Sequence, residues 1–273
     1  MNKQQKAMDK ELKRLSRQER AFLEKRMERK DSALNRLLAE KVPEKLQGTL
    51  DAAFAKAFAL VFEKGTAVIE KSYNKEGKEK QFQIDSYAAE IKGDRKALRA
   101  FSKKAGSAGR LNLALSGAAG IGLGVLGVGL PDIALFTALM LKGIYEIALS
   151  YGFSYESDAE RQFILLLISG AVAYGEELKA IDEELNAFIQ RGSFPAPDMD
   201  ALIRQAAGGL SKELLVMKFL QGVPIVGELG GAFDAVYMKR VMAYAELKYR
   251  RRFYYNKMKL SSKWSCHPEP RSG

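Results

Sequence analysis

Apolar residues recur along this chain at intervals of three and four, and no stretch sustains the alternation of a strand. Residues 3–40 carry a sparse stripe (Met8, Leu12, Leu15, Phe22, Met27, Leu34, Leu38) on an otherwise charged background, which predicts a long helix with a narrow apolar face. Pro43 breaks it. From Glu44 the stripe thickens to Leu46, Leu50, Phe54, Phe58, Val61, Phe62, Val68 and Ile69, an amphipathic helix with an aromatic seam. Residues 72–81 are polar, contain Gly77 and read as a loop. Ile84, Tyr87, Ile91, Leu98 and Phe101 then predict a helix over 84–103 with a basic back.

The pattern changes at 111–130, LNLALSGAAGIGLGVLGVGL, twenty residues with six glycines and no charge. Pro131 and Asp132 interrupt it. A second apolar run, Ile133 to Leu141, leads into a helix ending near Tyr151, with Gly152 placed to terminate it. Twenty helical residues span about 30 Å, the hydrocarbon thickness of a bilayer. Gly120 and Gly124 form a GxxxG, a spacing that lets two helix backbones approach closely. With Pro131 and Asp132 at its turn, 111–149 is expected to be a helical hairpin near the centre of the molecule. It is buried core, an element dipping into one leaflet of a membrane, or a true span, since a helix apolar all round must be buried in something.

Ser157 and Glu160 have the spacing of a capping box, and a helix over 158–190 should follow, with Phe163, Leu167, Ala171, Tyr174, Leu178, Ile181, Leu185 and Phe188 on one face. Residues 191–197 stop it. Asp198 is placed to cap a helix running to Leu220, which Gly222 and Pro224 end. A last long helix covers about 228–258, with Phe233, Tyr237, Val241, Tyr244, Leu247, Tyr254 and Met258 inward. All seven prolines fall at expected breaks or in the tail. The prediction is an all-α multi-helix bundle: a charged N-terminal helix over 1–43, a helical domain over 44–258, and a disordered tail over 259–273.

Charge follows the same division. Residues 1–110 hold 27 Lys and Arg against 16 Asp and Glu, residues 111–238 hold 7 against 15, and residues 239–273 hold 10 against 2. Basic ends flank an acidic middle. Such ends suit an anionic partner, and they also suit the chain's own acidic middle. The last helix ends Lys248-Tyr249-Arg250-Arg251-Arg252-Phe253-Tyr254-Tyr255, cations interleaved with aromatics. Lys248, Arg250, Arg251, Arg252, Tyr254 and Tyr255 are therefore candidates for contact with lipid headgroups. Nucleic acid is a less favoured partner for the same mixture, and a helix end covered by rings is the structural alternative.

Candidate catalytic chemistry is thin. The chain has one cysteine and one histidine, Cys266 and His267, both in the tail. That excludes a disulfide framework and offers no histidine site for zinc or for a serine nucleophile's base. Asp132, Glu146, Glu228 and Asp234 sit in apolar surroundings; two of them converging could do acid–base work, and otherwise each should pair with a base such as Lys142, Lys218 or Arg240. Gly122, Gly124 and Gly127 match a dinucleotide fingerprint, but no strand precedes them to hold the phosphate turn. No cofactor and no metal are expected. Met1–Lys30 lacks the apolar run of a secretory signal, and the lone cysteine agrees with a reducing compartment, so a cytoplasmic location is expected.

Two segments carry a resemblance. One runs from Leu130-Pro131-Asp132 through Ile144-Tyr145-Glu146-Ile147-Ala148 to Tyr151-Gly152 and the Ser157–Glu160 start. The other is Val223-Pro224-Ile225-Val226-Gly227 with Gly230-Gly231-Ala232, entering the helix that ends Arg250-Arg251-Arg252-Phe253. Together they resemble the EcsC family of bacterial proteins over residues 90–255, leaving the N-terminal helix outside. The family takes its name from the third member of an operon that also encodes an ABC transporter ATPase and its membrane subunit, and a hydrolase activity has been suggested for some members. The resemblance implies a cytoplasmic setting peripheral to the inner membrane, with an ABC transporter as a partner to test, and brings no catalytic residues. The leading expectation is an accessory protein on an anionic membrane surface. A hydrolase using the carboxylates and a nucleic-acid-binding protein are the alternatives.

Overall fold

Short polar side chains and glycines at positive φ set most of the helix ends. The computed structural model describes residues 3–27, 44–115, 131–192, 198–220 and 232–264, and every regular element among them is helical. Helix α1 spans Lys3–Met27. Helix α2, Glu44–Leu60, passes through a π turn at Val61–Gly65 into the short α3, Thr66–Glu70. Asn74 caps α4 (Lys75–Lys92), its Oδ1 accepting the Gly77 N–H at 2.8 Å, and Gly93 ends α4 at φ 56°. Asp94 accepts the Ala97 N–H at 2.8 Å, starting α5 (Arg95–Leu115). Pro131 opens α6 (Pro131–Ser150), where its missing N–H costs nothing, and Gly152 turns the chain at φ 80°. Ser157 caps α7 (Asp158–Val172), α8 runs Gly175–Arg191, Asp198 caps α9 (Met199–Leu220), and α10 runs Ala232–Trp264.

The all-α bundle is as the periodicity predicts, with four local differences. The expected loop at 72–81 shrinks to a short turn, because Asn74 starts a helix that polar composition disguises. The single helix expected over 84–103 is two, split by Gly93. The helix expected over 158–190 is also two: Ala173 and Tyr174 are extended, and Gly175 takes φ 56°. Both halves bury the same phase of the stripe, so the break leaves no mark in the apolar pattern. Helix α10 continues through residues 259–264, into the stretch expected to be a tail. Met258 packs on the core and Lys257 bonds Glu90 at 2.8 Å, which carries the helix outward.

Helix α6 lies centrally, packed on α2, α4, α5 and α10. Ile133–Ser150 has a mean hydropathy of 1.6, long and apolar enough to cross a bilayer, yet 83% of it is buried inside the protein. Its all-round apolar surface is thus covered by neighbouring helices. Helix α9 lies along α2, and α7 is held between α8, α9 and α10. Helix α1 lies across α5, α8 and α10, burying Met8 and Leu15. The arm preceding α6, with Gly120 and Gly124, lies outside the described residues, as do Glu228 and everything after residue 264.

Helix α10 also explains the charge division. It carries three tyrosine–cation pairs, three or four residues apart, and each pair serves one carboxylate from the acidic middle. Tyr237 and Arg240 meet Glu213 of α9, at 2.6 and 3.5 Å. Tyr244 and Lys248 meet Asp182 of α8, at 2.6 and 2.7 Å. Tyr249 and Arg252 meet Glu160 of α7, at 2.7 and 2.6 Å. A buried carboxylate needs both a counter-charge and hydrogen-bond donors, and this spacing supplies them from one helix face. Burial, followed by the neighbouring carboxylate, raises the pKa of all three tyrosines, so each stays a neutral donor.

Candidate functional site

A cleft of about 720 Å³ lies between α1 and α10. The two helices run antiparallel: Gln18 meets Arg250, Phe22 stacks on Tyr244, and the Arg26 end lies towards Arg240. Among the described residues, five cations line the cleft, Lys25 and Arg26 from α1 and Lys239, Arg240 and Arg250 from α10, against one carboxylate, Glu246. Ala21, Phe22, Val236, Ala243 and Leu247 form its apolar part.

The inner cations are held in place. Arg26 bonds the Phe22 carbonyl at 2.9 Å and lays its guanidinium 3.7 Å over the Phe22 ring. Phe22 in turn is stacked on Tyr244, centroids 4.8 Å apart. Arg240 donates to the Tyr174 hydroxyl at 2.9 Å and lies 3.5 Å from Glu213. Burial, with the charge of Arg240 added to it, pulls the Arg26 pKa down to about 10. Among the described residues Arg26 has no carboxylate partner. At the other end of the cleft Arg250 bonds Gln18 at 2.6 Å and lies 3.8 Å from Glu246, while its Nε is buried without a partner. Lys25 and Lys239 are exposed on the rim. With donors in such excess over acceptors, the arrangement can hold an anion.

The residues singled out from sequence are distributed differently. Of the six on α10, Arg250 faces this cleft. Lys248 is completely buried between Asp182, Glu19 and Asn186. Arg251 grips Glu19, and Arg252 pairs with Glu160 beneath the rings of Phe153, Phe163 and Phe188. Tyr254 is buried against Ser102 at 2.7 Å, and Tyr255 packs partly buried on the core. The cause is the inward carboxylates of α1, α7 and α8, which the amphipathic pattern of α10 alone does not reveal. Lys25, Arg26, Lys239 and Arg240 were not candidates for surface contact. Their signal is two Lys-Arg dipeptides, one near each end of the chain, which only helix packing brings together.

Of the four carboxylate candidates, Glu146 alone has its side chain among the described residues. Glu146 is wholly buried on α6, 3.6 Å from Lys78 and 4.0 Å from Lys142. This is the acid–base pairing that was the alternative to catalysis. Asp132 and Pro131 open α6 and Asp234 lies near the start of α10, with side chains outside the described residues. No group of three or more metal-ligating side chains occurs among the described residues.

An all-α bundle whose first and last helices flank a basic cleft defines the class. The model of the EcsC protein family matches residues 6–253, and the chain belongs to that family. The match takes in α1, which the resemblance in sequence left outside. No curated protein and no solved structure matches the chain.

Proposed function

We propose that this EcsC-family protein is a peripheral accessory protein that docks on the cytoplasmic face of an anionic membrane through the rim of the α1–α10 cleft. The observation that carries the reading is the imbalance there: among the described residues, five cations against one carboxylate, on the two helices that supply the chain's basic ends. Lys248, Arg251 and Arg252 of α10 are taken up by internal carboxylates, whereas Lys25 and Lys239 stay exposed on the cleft rim. A basic residue near an anionic bilayer contributes about 1 kcal/mol. The rim cations Lys25 and Lys239 therefore account for a binding difference on the order of thirtyfold.

The test is sedimentation of the full chain with vesicles. Binding to anionic vesicles, none to purely zwitterionic ones, and weakening by salt are expected. The Lys25→Glu/Lys239→Glu double variant should lose most of it. Equal behaviour of the double variant and the parent on anionic vesicles, or no vesicle binding by the parent, would remove the reading.

A further inference from the structure

The cleft has a recognisable interior as well as a basic rim. Resting on the reading of that cleft as the anion-facing surface, we infer that Arg26 and Arg240 form a clamp for a phosphomonoester whose remainder is apolar.

Arg26 and Arg240 each bring a guanidinium group to the cleft. Both line the same cleft, and the carboxylate beside Arg240, Glu213, is already shared with the hydroxyls of Tyr174 and Tyr237. A guanidinium offers five N–H donors. The Arg26 side chain spends one on the Phe22 carbonyl, and Arg240 spends one on Tyr174. Two planar forks with donors to spare match a group with several free oxygens and more than one negative charge. A phosphomonoester has three such oxygens, whereas a carboxylate fills a single fork.

Both forks are fixed before any ligand arrives. Arg26 rests on Phe22, which rests on Tyr244, whose hydroxyl is anchored by Asp182. Arg240 lies 4.7 Å over the Tyr237 ring and is tethered by Tyr174. Side chains ordered in advance lose little entropy on binding. Beside them, Phe22 is half-buried and Val236 is 45% exposed, and the cleft is far larger than one phosphate group. Apolar surface left open beside a charged clamp suits a ligand that is phosphate at one end and hydrocarbon at the other.

That chemistry occurs in a phosphatidic-acid headgroup and in a soluble phosphate ester, and the experiment separates them. The full chain is titrated with phosphatidylcholine vesicles containing phosphatidic acid, with vesicles of equal surface charge containing oleate, and with soluble glycerol 3-phosphate. The variant is Arg26→Lys, which keeps the charge and removes the fork; a thermal melt confirms that it is folded.

The expected result is tighter binding to phosphatidic acid than to oleate vesicles, with Arg26→Lys losing about tenfold on the former and nothing on the latter. Equal affinity for both vesicles, unchanged in Arg26→Lys, overturns the clamp and leaves surface attachment standing. Binding of glycerol 3-phosphate that depends on Arg26, without any vesicle binding, keeps the clamp and overturns the membrane reading. Failure with all three probes overturns both.

Discussion

Lys248 and Asp182 meet 2.7 Å apart inside the bundle, and the lysine has no exposed surface at all. Its ammonium also bonds Asn186 at 2.9 Å and lies 3.5 Å from Glu19 of α1, so one cation joins α10, α8 and α1. Removing it leaves Asp182 as a buried charge with only neutral donors. Lys248→Met is expected to cost about 3–5 kcal/mol in urea unfolding, the usual effect of breaking a buried pair from one side. Lys248→Met/Asp182→Asn should recover part of the loss, and a double-mutant cycle measures the coupling. A single variant within 1 kcal/mol of the parent would show that this pair does not hold the three helices.

Glu11 docks the other half of α1. It is buried and takes the guanidiniums of Arg95 and Arg99, the latter at 2.9 Å, with Arg14 at 3.5 Å. Burial pushes its pKa up, but the hydrogen bonds from Arg95 and Arg99 outweigh that, and the net shift is downward. A carboxylate that titrates lower in the folded chain stabilises the fold fully above the ordinary glutamate range. That contribution is lost as pH falls through the lowered value. Acid should therefore loosen α1, and Glu11→Gln should remove this part of the acid sensitivity while lowering stability at neutral pH. Hydrogen exchange of the α1 amides at neutral pH and near pH 4 checks both. Equal acid sensitivity in parent and variant would exclude Glu11 as its source.

What could be read in the sequence was what depends on neighbours along one helix. The aromatic seam of α2 buries Phe54 and Phe58 as its spacing implies, and Ser157 caps α7 as its motif implies. The uncharged run from Ile133 implied a helix buried in protein or in membrane, and 83% of Ile133–Ser150 is buried inside the protein. Lys248 and Arg250 look alike in one dimension, two cations among tyrosines. One is core and the other faces the cleft because Asp182 and Glu19 lie opposite the first alone. Arg26 and Arg240 likewise meet only through the antiparallel contact of α1 with α10. Periodicity shows that a helix has an inner face, but which helix covers it is decided by the whole packing.

Gly170 on α7 tests how tightly that packing is set. A Cβ there would lie 2.8 Å from Tyr244 Cε1 and 3.1 Å from Ile181 Cγ2. Alanine favours a helix interior over glycine by about 1 kcal/mol. Here the ring it meets is stacked on Phe22 and bonded to Asp182, so it cannot move away freely. Overpacking of this kind costs about 1–3 kcal/mol. Gly170→Ala should be destabilising on balance and lower the thermal midpoint, and a raised midpoint would show that Tyr244 can shift.

The stripe Ile84, Tyr87, Ile91, Leu98 and Phe101 was expected to form one inward face, and the break at Gly93 divides it. Leu98 and Phe101 on α5 are 5% and 4% exposed, whereas Ile84, Tyr87 and Ile91 on α4 are 62%, 67% and 69% exposed. Helix α4 turns Ser86 and Ala89 inward instead, small residues that let it lie close to α5 and α6. Phe101 stacks on Phe253 at 4.7 Å and meets Tyr151 edge-on, joining α5 to α10 and to the end of α6. Phe101→Ala is expected to cost about 3–5 kcal/mol, because the cavity lies between three elements that cannot all close in. Ile84→Ser and Ile91→Ser should each stay within about 0.5 kcal/mol of the parent, since they remove apolar area already in water. Chemical denaturation of the three variants decides it. A large loss at Ile84 or Ile91 would mean that the α4 stripe is covered in solution and that this helix packs as the uninterrupted pattern first implied.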